Sequence, residues 1–201
     1  MNFARGLARL LFRVLFRVEV RGSVETTGNM LVVANHLSNI DPFIFGGFAP
    51  GTMFCMAKRE LFATRVLAWI LAGCNCFPVE RGTPDRWALR TSLDVLKQNG
   101  RLLIFVEGTR SSGPGMKQAE AGIGFLARRS GAPICPVAVW GTEQALQRGR
   151  RLPRRATVTV SYGTPFQLEA GDGRPDDQLI ADAIARRIAE LLPAPYRGVY
   201  S

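Results

Sequence analysis

The chain has a single histidine, His36, in 201 residues. That scarcity narrows the chemistry: a histidine-rich metal centre is excluded, and any imidazole acid–base step must run through one residue. Cysteine is nearly as sparse. Cys55, Cys74, Cys76 and Cys135 offer no second ligand pair at zinc spacing, so no metal site is expected. All four fall in apolar runs, which reads as buried, reduced thiols in a cytosolic compartment. Gly-x-Ser-x-Gly and other serine elbows are absent, which argues against a hydrolase built on a serine nucleophile. Zinc-finger spacing, an RNP-type aromatic strand and a basic heptad helix are also missing, so nucleic acid is not an expected partner. No linker, internal repeat or low-complexity tract divides the chain, and its length suits one domain.

What is present is apolar content and positive charge. Hydrophobic residues make up 47% of the chain, enough for a sizeable core, and 26 Lys and Arg outnumber 16 Asp and Glu for a net charge of +10. Nearly all of the positive charge is arginine, whose planar fork suits bidentate contact with phosphate or carboxylate. The natural partners are therefore anionic, an anionic membrane surface or a phosphorylated metabolite among them. In MNFARGLARLLFRVLFRVEVR, arginines recur at 5, 9, 13, 17 and 21, while Phe3, Leu7, Leu10, Leu11, Val14 and Val18 cover the opposite side of a helix. Arginine inside the apolar stretch argues against a secretory signal core and against a charge-free spanning helix. The expectation is a basic amphipathic helix over residues 1–20, lying in a membrane interface, ahead of a domain over residues 21–201. A surface helix packed on its own domain is the alternative.

Downstream, apolar period and turn residues predict alternating elements. Strands are expected at 30–35, 52–58, 76–80, 101–107, 134–141 and 156–163. Between them, RVLAWILAGC (65–74) reads as a buried helix. Thr83 and Pro84 open a helix that runs to a Gly100 stop, 118–131 is a helix ended by glycine, and 176–192 is a final amphipathic helix. Strands alternating with helices predict a single α/β domain, a largely parallel sheet flanked by helices. Functional residues should gather in loops at one edge of that sheet.

The stretch NHLSNIDPF (35–43) sits at such an edge. Positions i and i+5 point about 140° apart on a helix and to opposite faces of a strand, so His36 and Asp41 can meet only across a turn. Ser38, Asn39 and Pro42 supply that turn after the apolar run MLVVA. Asp41 before Pro42 is equally suited to capping a helix, so the residues leave both roles open. Three further strand ends carry polar groups: FVEGTRSSG (105–113) with glycine N–H groups, Thr109 and Arg110; PVERG (78–82) with Arg81; and MAKREL (56–61) with Lys58. A strand followed by Gly-Thr-Arg can form a donor-lined anion site, and the P-loop pattern is absent. The run RGRRLPRR (148–155) reads as a solvated loop, with contact to the phosphates of CoA or to an acidic carrier protein as the alternative.

Taken in order, NHxSxxD at 35–41, FPVERG, FVEGTRS and PICPVAVWGTE resemble the four blocks of the glycerolipid acyltransferases, the 1-acylglycerol-3-phosphate (lysophosphatidic acid) acyltransferase family. MAKREL and GMKQAEAGIGFLA resemble the stretches between them, with the departure that the lead into Lys117 is Gly-rich and lacks an aromatic. The resemblance implies acyl transfer from acyl-CoA or acyl-carrier protein to the free hydroxyl of 1-acylglycerol-3-phosphate, forming phosphatidic acid, with another lysolipid acceptor as the alternative; it implies no cofactor or metal, and a place at the cytoplasmic face of a membrane as a peripheral or monotopic protein. It implies His36 as general base oriented by Asp41. It also implies that Lys58, Arg81, Glu107, Gly108, Thr109, Arg110 and Lys117 hold the acceptor's phosphate and glycerol. The apolar block at 133–140 is either acyl pocket or plain core strand. A non-enzymatic basic membrane-binding module would explain the charge and the N-terminus, but not the lone histidine beside Asp41.

Overall fold

The computed structural model describes residues 10, 12–24, 27–48, 51–80, 85–111, 113, 115–147, 149–150, 152–168 and 176–201. Its strands are β1 (Arg17–Arg21), β2 (Met30–Ala34), β3 (Phe54–Lys58), β4 (Cys76–Val79), β5 (Arg101–Phe105), β6 (Ile134–Trp140) and β7 (Thr157–Tyr162). They form one sheet in the order β1-β7-β6-β2-β5-β3-β4. β6, β2, β5, β3 and β4 run parallel; β7 is antiparallel to β6, and β1 lies parallel to β7 at the edge. The single α/β domain with a largely parallel sheet is therefore as the sequence predicts.

β2 sits in mid-sheet because all five of its residues are apolar and the sheet is covered on both faces. Its alternate side chains divide between two cores. Leu31 and Val33 join one, with residues of α3 (Arg86–Lys97), α4 (Ala121–Ser130) and α6 (Asp177–Leu191), α5 being the single turn Thr142–Ala145. Met30, Val32 and Ala34 join the other, with Phe16 and with Ile44 and Phe45 of α1 (Asp41–Phe48). Each fully buried Val or Leu contributes about 1.5–3 kcal/mol, so this strand is a rigid support for whatever follows Ala34. The α4 and α6 helices meet closely: a Cβ on Gly124 would collide with the Asp177 carbonyl oxygen. Arg128 joins the same pair through Asp177, at 2.8 and 3.1 Å.

Four expectations change. Residues 12–15 are helical, but 17–21 are strand β1, so the N-terminal helix does not continue to residue 20. Residues 1–9 and 11, most of that expected helix, lie outside the described residues. The helix α2 (Arg65–Gly73) is not buried, since Leu71 is its one buried residue. Cys55 and Cys135 are buried, whereas Cys76 is half-buried and Cys74 exposed, because Cys74 ends that same exposed helix. The helix expected from Thr83 starts at Arg86, where the Asp85 side chain caps the Ala88 N–H at 3.0 Å. Among the described residues no helix is long and apolar enough to cross a membrane.

Candidate active site

The polypeptide leaves β2 through Asn35, whose side chain stands in for a strand residue. Its amide donates to the Val139 carbonyl at 2.8 Å and its oxygen accepts from the Val139 N–H at 2.8 Å, fastening the turn to β6. The turn then folds back on Asp41. Asp41 Oδ2 lies 2.7 Å from His36 Nδ1 and accepts from the Leu37 and Ser38 N–H groups, both at 2.8 Å. Asp41 is thus already the first helical residue of α1 and aims its carboxylate backwards. Orienting the imidazole and closing the turn fall to one oxygen, which resolves the two roles left open by the residues. Nδ1–H donating to a carboxylate leaves Nε2 with the lone pair, and Nε2 has no partner among the described residues. His36 is 5% exposed and stacks on Phe105, with ring centroids 4.0 Å apart and planes at 17°. Phe45 braces Phe105 edge-on at 6.1 Å. The ring is fixed on one side by a carboxylate and on its face by an aromatic pair.

The second wall follows β5. Glu107 is 2% exposed, and both of its oxygens turn inward. Oε1 accepts from the His36 N–H at 3.0 Å; Oε2 accepts from the Lys117 N–H at 2.9 Å and from the Ser111 hydroxyl. Ser111 N–H returns a bond to the His36 carbonyl at 2.9 Å. Glu107 therefore clamps the loop after β2 to the loop 106–117. Beyond it the backbone turns at Gly108, where φ is +62° and a Cβ would come within 2.9 Å of the Glu120 side chain, so glycine is required. Gly108 and Thr109 are exposed and Arg110 half-buried, with Lys117 Nζ donating to the Arg110 carbonyl at 3.3 Å. Lys58 ends β3, the next strand across, and pairs with Glu60 at 2.9 Å on the surface. His36, Glu107, Gly108, Thr109, Arg110, Lys117 and Lys58 thus share the carboxyl edge of three adjacent strands. Arg81 lies outside the described residues.

A model of the Acyltransferase family matches residues 16–140. The chain belongs to this acyltransferase family. It is 30% identical over 143 residues to the 1-acyl-sn-glycerol-3-phosphate acyltransferase of Streptococcus pneumoniae, an alignment covering 70% of this chain and 51% of that protein. It is 27% identical to the protein of the same name from Bacillus subtilis, over 80% of each chain. The crystal structure of the 1-acyl-sn-glycerophosphate acyltransferase PlsC from Thermotoga maritima superposes with a TM-score of 0.78 and 26% identity, covering 94% of this chain and 78% of that one. The chain spans about half the length of several of the curated relatives it matches. The matched range contains the His36–Asp41 turn, the Glu107 clamp and β6, whose residues from Ile134 to Val139 are all buried as core strand.

The described residues that the sequence proposes for the site lie together at this edge, whereas the framework between them does not follow from the sequence. Asn35, Phe105 and Ser111 were not singled out. Asn35 had a signal, a polar side chain ending an unbroken apolar strand; Phe105 had none, since any residue of a buried strand reads alike.

Proposed function

We propose that this acyltransferase moves a fatty acyl group from acyl-CoA or acyl-carrier protein to the free hydroxyl of a 1-acylglycerol-3-phosphate, forming phosphatidic acid in phospholipid synthesis. The observation that carries the reading is the lone imidazole held by Asp41 Oδ2 at 2.7 Å from Nδ1, with Nε2 unpartnered among the described residues and the His36 backbone bonded to the loop that carries the anion donors. A hydroxyl is a poor nucleophile near neutral pH. Nε2 takes its proton as the oxygen attacks the thioester carbonyl, an effect worth typically about 10²–10⁴ in rate. The tetrahedral intermediate then expels the thiolate, which recovers the proton from Nε2. Asp41 holds the tautomer and stabilises the transient imidazolium. The thioester is already activated, so this chemistry calls for no metal or cofactor.

On the acceptor side, Arg110, Lys117, Arg81 and Lys58 supply charge to the phosphate, while the Gly108 and Thr109 groups face the glycerol. Glu107 serves this site by holding the loop. Residues 1–15 would anchor the protein to the anionic cytoplasmic face of the membrane in which the acceptor resides.

The test is to incubate the purified full chain with a panel of lysolipids and both donor types, and to identify products by mass. Phosphatidic acid from lysophosphatidic acid is the expected product. One relative, 32% identical over 134 residues, is named a lyso-ornithine lipid O-acyltransferase of Pseudomonas aeruginosa, so that acceptor belongs in the panel. Preferential transfer to it would replace the phosphate acceptor, and no acylated product at all would overturn the enzyme reading.

A further inference from the structure

The most exposed apolar segment among the described elements lies beside the site and takes no part in the chemistry. In α2 Val66 is 72% exposed, Trp69 78% and Ile70 38%, and Leu61, in the single helical turn Arg59–Phe62 just before it, is 42% exposed. Positions i, i+3 and i+4 fall on one face of a helix, so Val66, Trp69 and Ile70 form a continuous stripe. Scattered exposed apolar side chains are ordinary; a contiguous stripe with a tryptophan at its centre is not.

We propose that Arg59–Phe62 and α2 form a face that docks on the anionic headgroup layer of a lipid bilayer. Three observations select that occupant. The segment from β3 to β4 carries Lys58, Arg59 and Arg65 against Glu60 alone, a basic margin around an apolar stripe. Lys58 and Arg59 remain about half exposed despite pairing with Glu60 and with Glu80 and Asp85 respectively, and Arg65 has no ion pair among the described residues. Tryptophan, with an apolar body and one N–H, suits the boundary between headgroups and acyl chains. Nine helical residues extend about 14 Å, too short to cross a hydrocarbon core of about 30 Å, so the helix lies in the interface. A second copy is disfavoured as the occupant, because a symmetric contact would set Arg65 and the same basic margin against themselves.

Position gives the docking a purpose. α2 starts from the edge where Lys58 ends β3, and β3 neighbours the parallel strand β5, whose own carboxyl end leads into the Glu107 clamp at that same edge. A bilayer seated on this face is next to the mouth of the site, so an acceptor can pass from membrane to His36 without entering water. That last step rests on the function proposed above; the docking itself does not.

Co-sedimentation of the full chain with vesicles tests the proposal, using phosphatidylcholine alone and phosphatidylcholine mixed with phosphatidylglycerol. Adding mixed vesicles should shift tryptophan emission to the blue, and the shift should be missing in Trp69→Phe. The triple variant Val66→Ser, Trp69→Ser, Ile70→Ser should lose about tenfold or more in vesicle partition while still acylating detergent-dispersed acceptor. Arg65→Gln should weaken binding to the mixed vesicles only. The docking face is overturned by unchanged partition of a folded triple variant, or by wild-type emission that vesicles do not move through Trp69. A concentration-dependent dimer that the triple variant lacks would assign the face to a second copy and overturn it too. The Trp69→Phe comparison decides the matter even where the triple variant misfolds. Vesicle binding as expected with no acyl transfer to any acceptor would sink the enzyme reading and leave this one standing.

Discussion

Glu107→Gln separates a clamp from an acceptor contact. The carboxylate accepts three hydrogen bonds, from the His36 N–H at 3.0 Å, the Lys117 N–H at 2.9 Å and the Ser111 hydroxyl. Glutamine has the same shape but only one acceptor oxygen. Whichever way the amide turns, its NH₂ faces a backbone N–H, either that of His36 or that of Lys117. One buried donor is then left unsatisfied, at about 1–3 kcal/mol. The surviving bonds lose their charge assistance, which roughly halves them. Together these give about 2–4 kcal/mol, and at this chain length each kcal/mol moves the unfolding midpoint by roughly 2–4 °C. The expected result by circular dichroism is therefore a midpoint about 5–15 °C lower. Activity measured well below that midpoint should fall through kcat, because a displacement of about 1 Å at His36 costs on the order of 10²-fold. KM for the acceptor should change less than kcat, since both oxygens face protein donors and Glu107 reaches the acceptor only through the loop it holds. An unchanged midpoint with a raised acceptor KM would refute the clamp and place Glu107 on the acceptor.

His36→Ala is expected to abolish acyl transfer with the unfolding midpoint within a few degrees of wild type, and Asp41→Asn to lower turnover more than about tenfold; near-normal rates in either would remove the base assignment. Arg110→Ala and Arg81→Ala should raise KM for a phosphate-bearing acceptor by roughly tenfold to a hundredfold, with less effect on the thioester donor and only partial rescue by lysine. Deletion of residues 2–9 should lower binding to anionic liposomes and spare micellar activity, and the cut must stop short of Phe16, which is 2% exposed in the core. The Cys76 thiol is held below its ordinary range by the hydrogen bond from Cys55, whereas burial pushes Cys135 up to about 12. As pH rises through 8, iodoacetamide should therefore label Cys76 ahead of Cys135, which should react only on unfolding; peptide mass mapping reads the order.

Every strand but β1, most of the helices and the sheet edge where the candidate residues gather are legible in the sequence because period and punctuation are local. The His36–Asp41 pair was legible for a sharper reason: an offset of five joins two side chains only across a turn, and Ser38 to Pro42 spells one. The Glu107 clamp was not, since its donors come from residues 36, 111 and 117 and meet only when β2 and β5 pair. β1 was hidden by a coincidence of spacing. Arg17 and Arg21, four apart, stay near one stripe of a helix and lie on one face of a strand, so arginine period alone does not tell them apart. The alternation Arg-Val-Glu-Val-Arg is the strand signal, and pairing with β7 realises it.

The misreading of α2 has a different origin. RVLAWILAG has the composition of a core helix, and apolar composition states only that a segment avoids water. It does not say whether the refuge is the protein interior or something outside it. For most chains the distinction is idle, because the interior is the one apolar phase within reach. A helix at the sheet edge, with Leu71 its one fully buried residue, Val66 and Trp69 turned outward and arginine at its start, has a second phase available only if the protein works against a lipid surface. The burial pattern that contradicts the sequence expectation is what the docking proposed above requires of a lipid-facing helix: apolar side chains left outside the protein's own core.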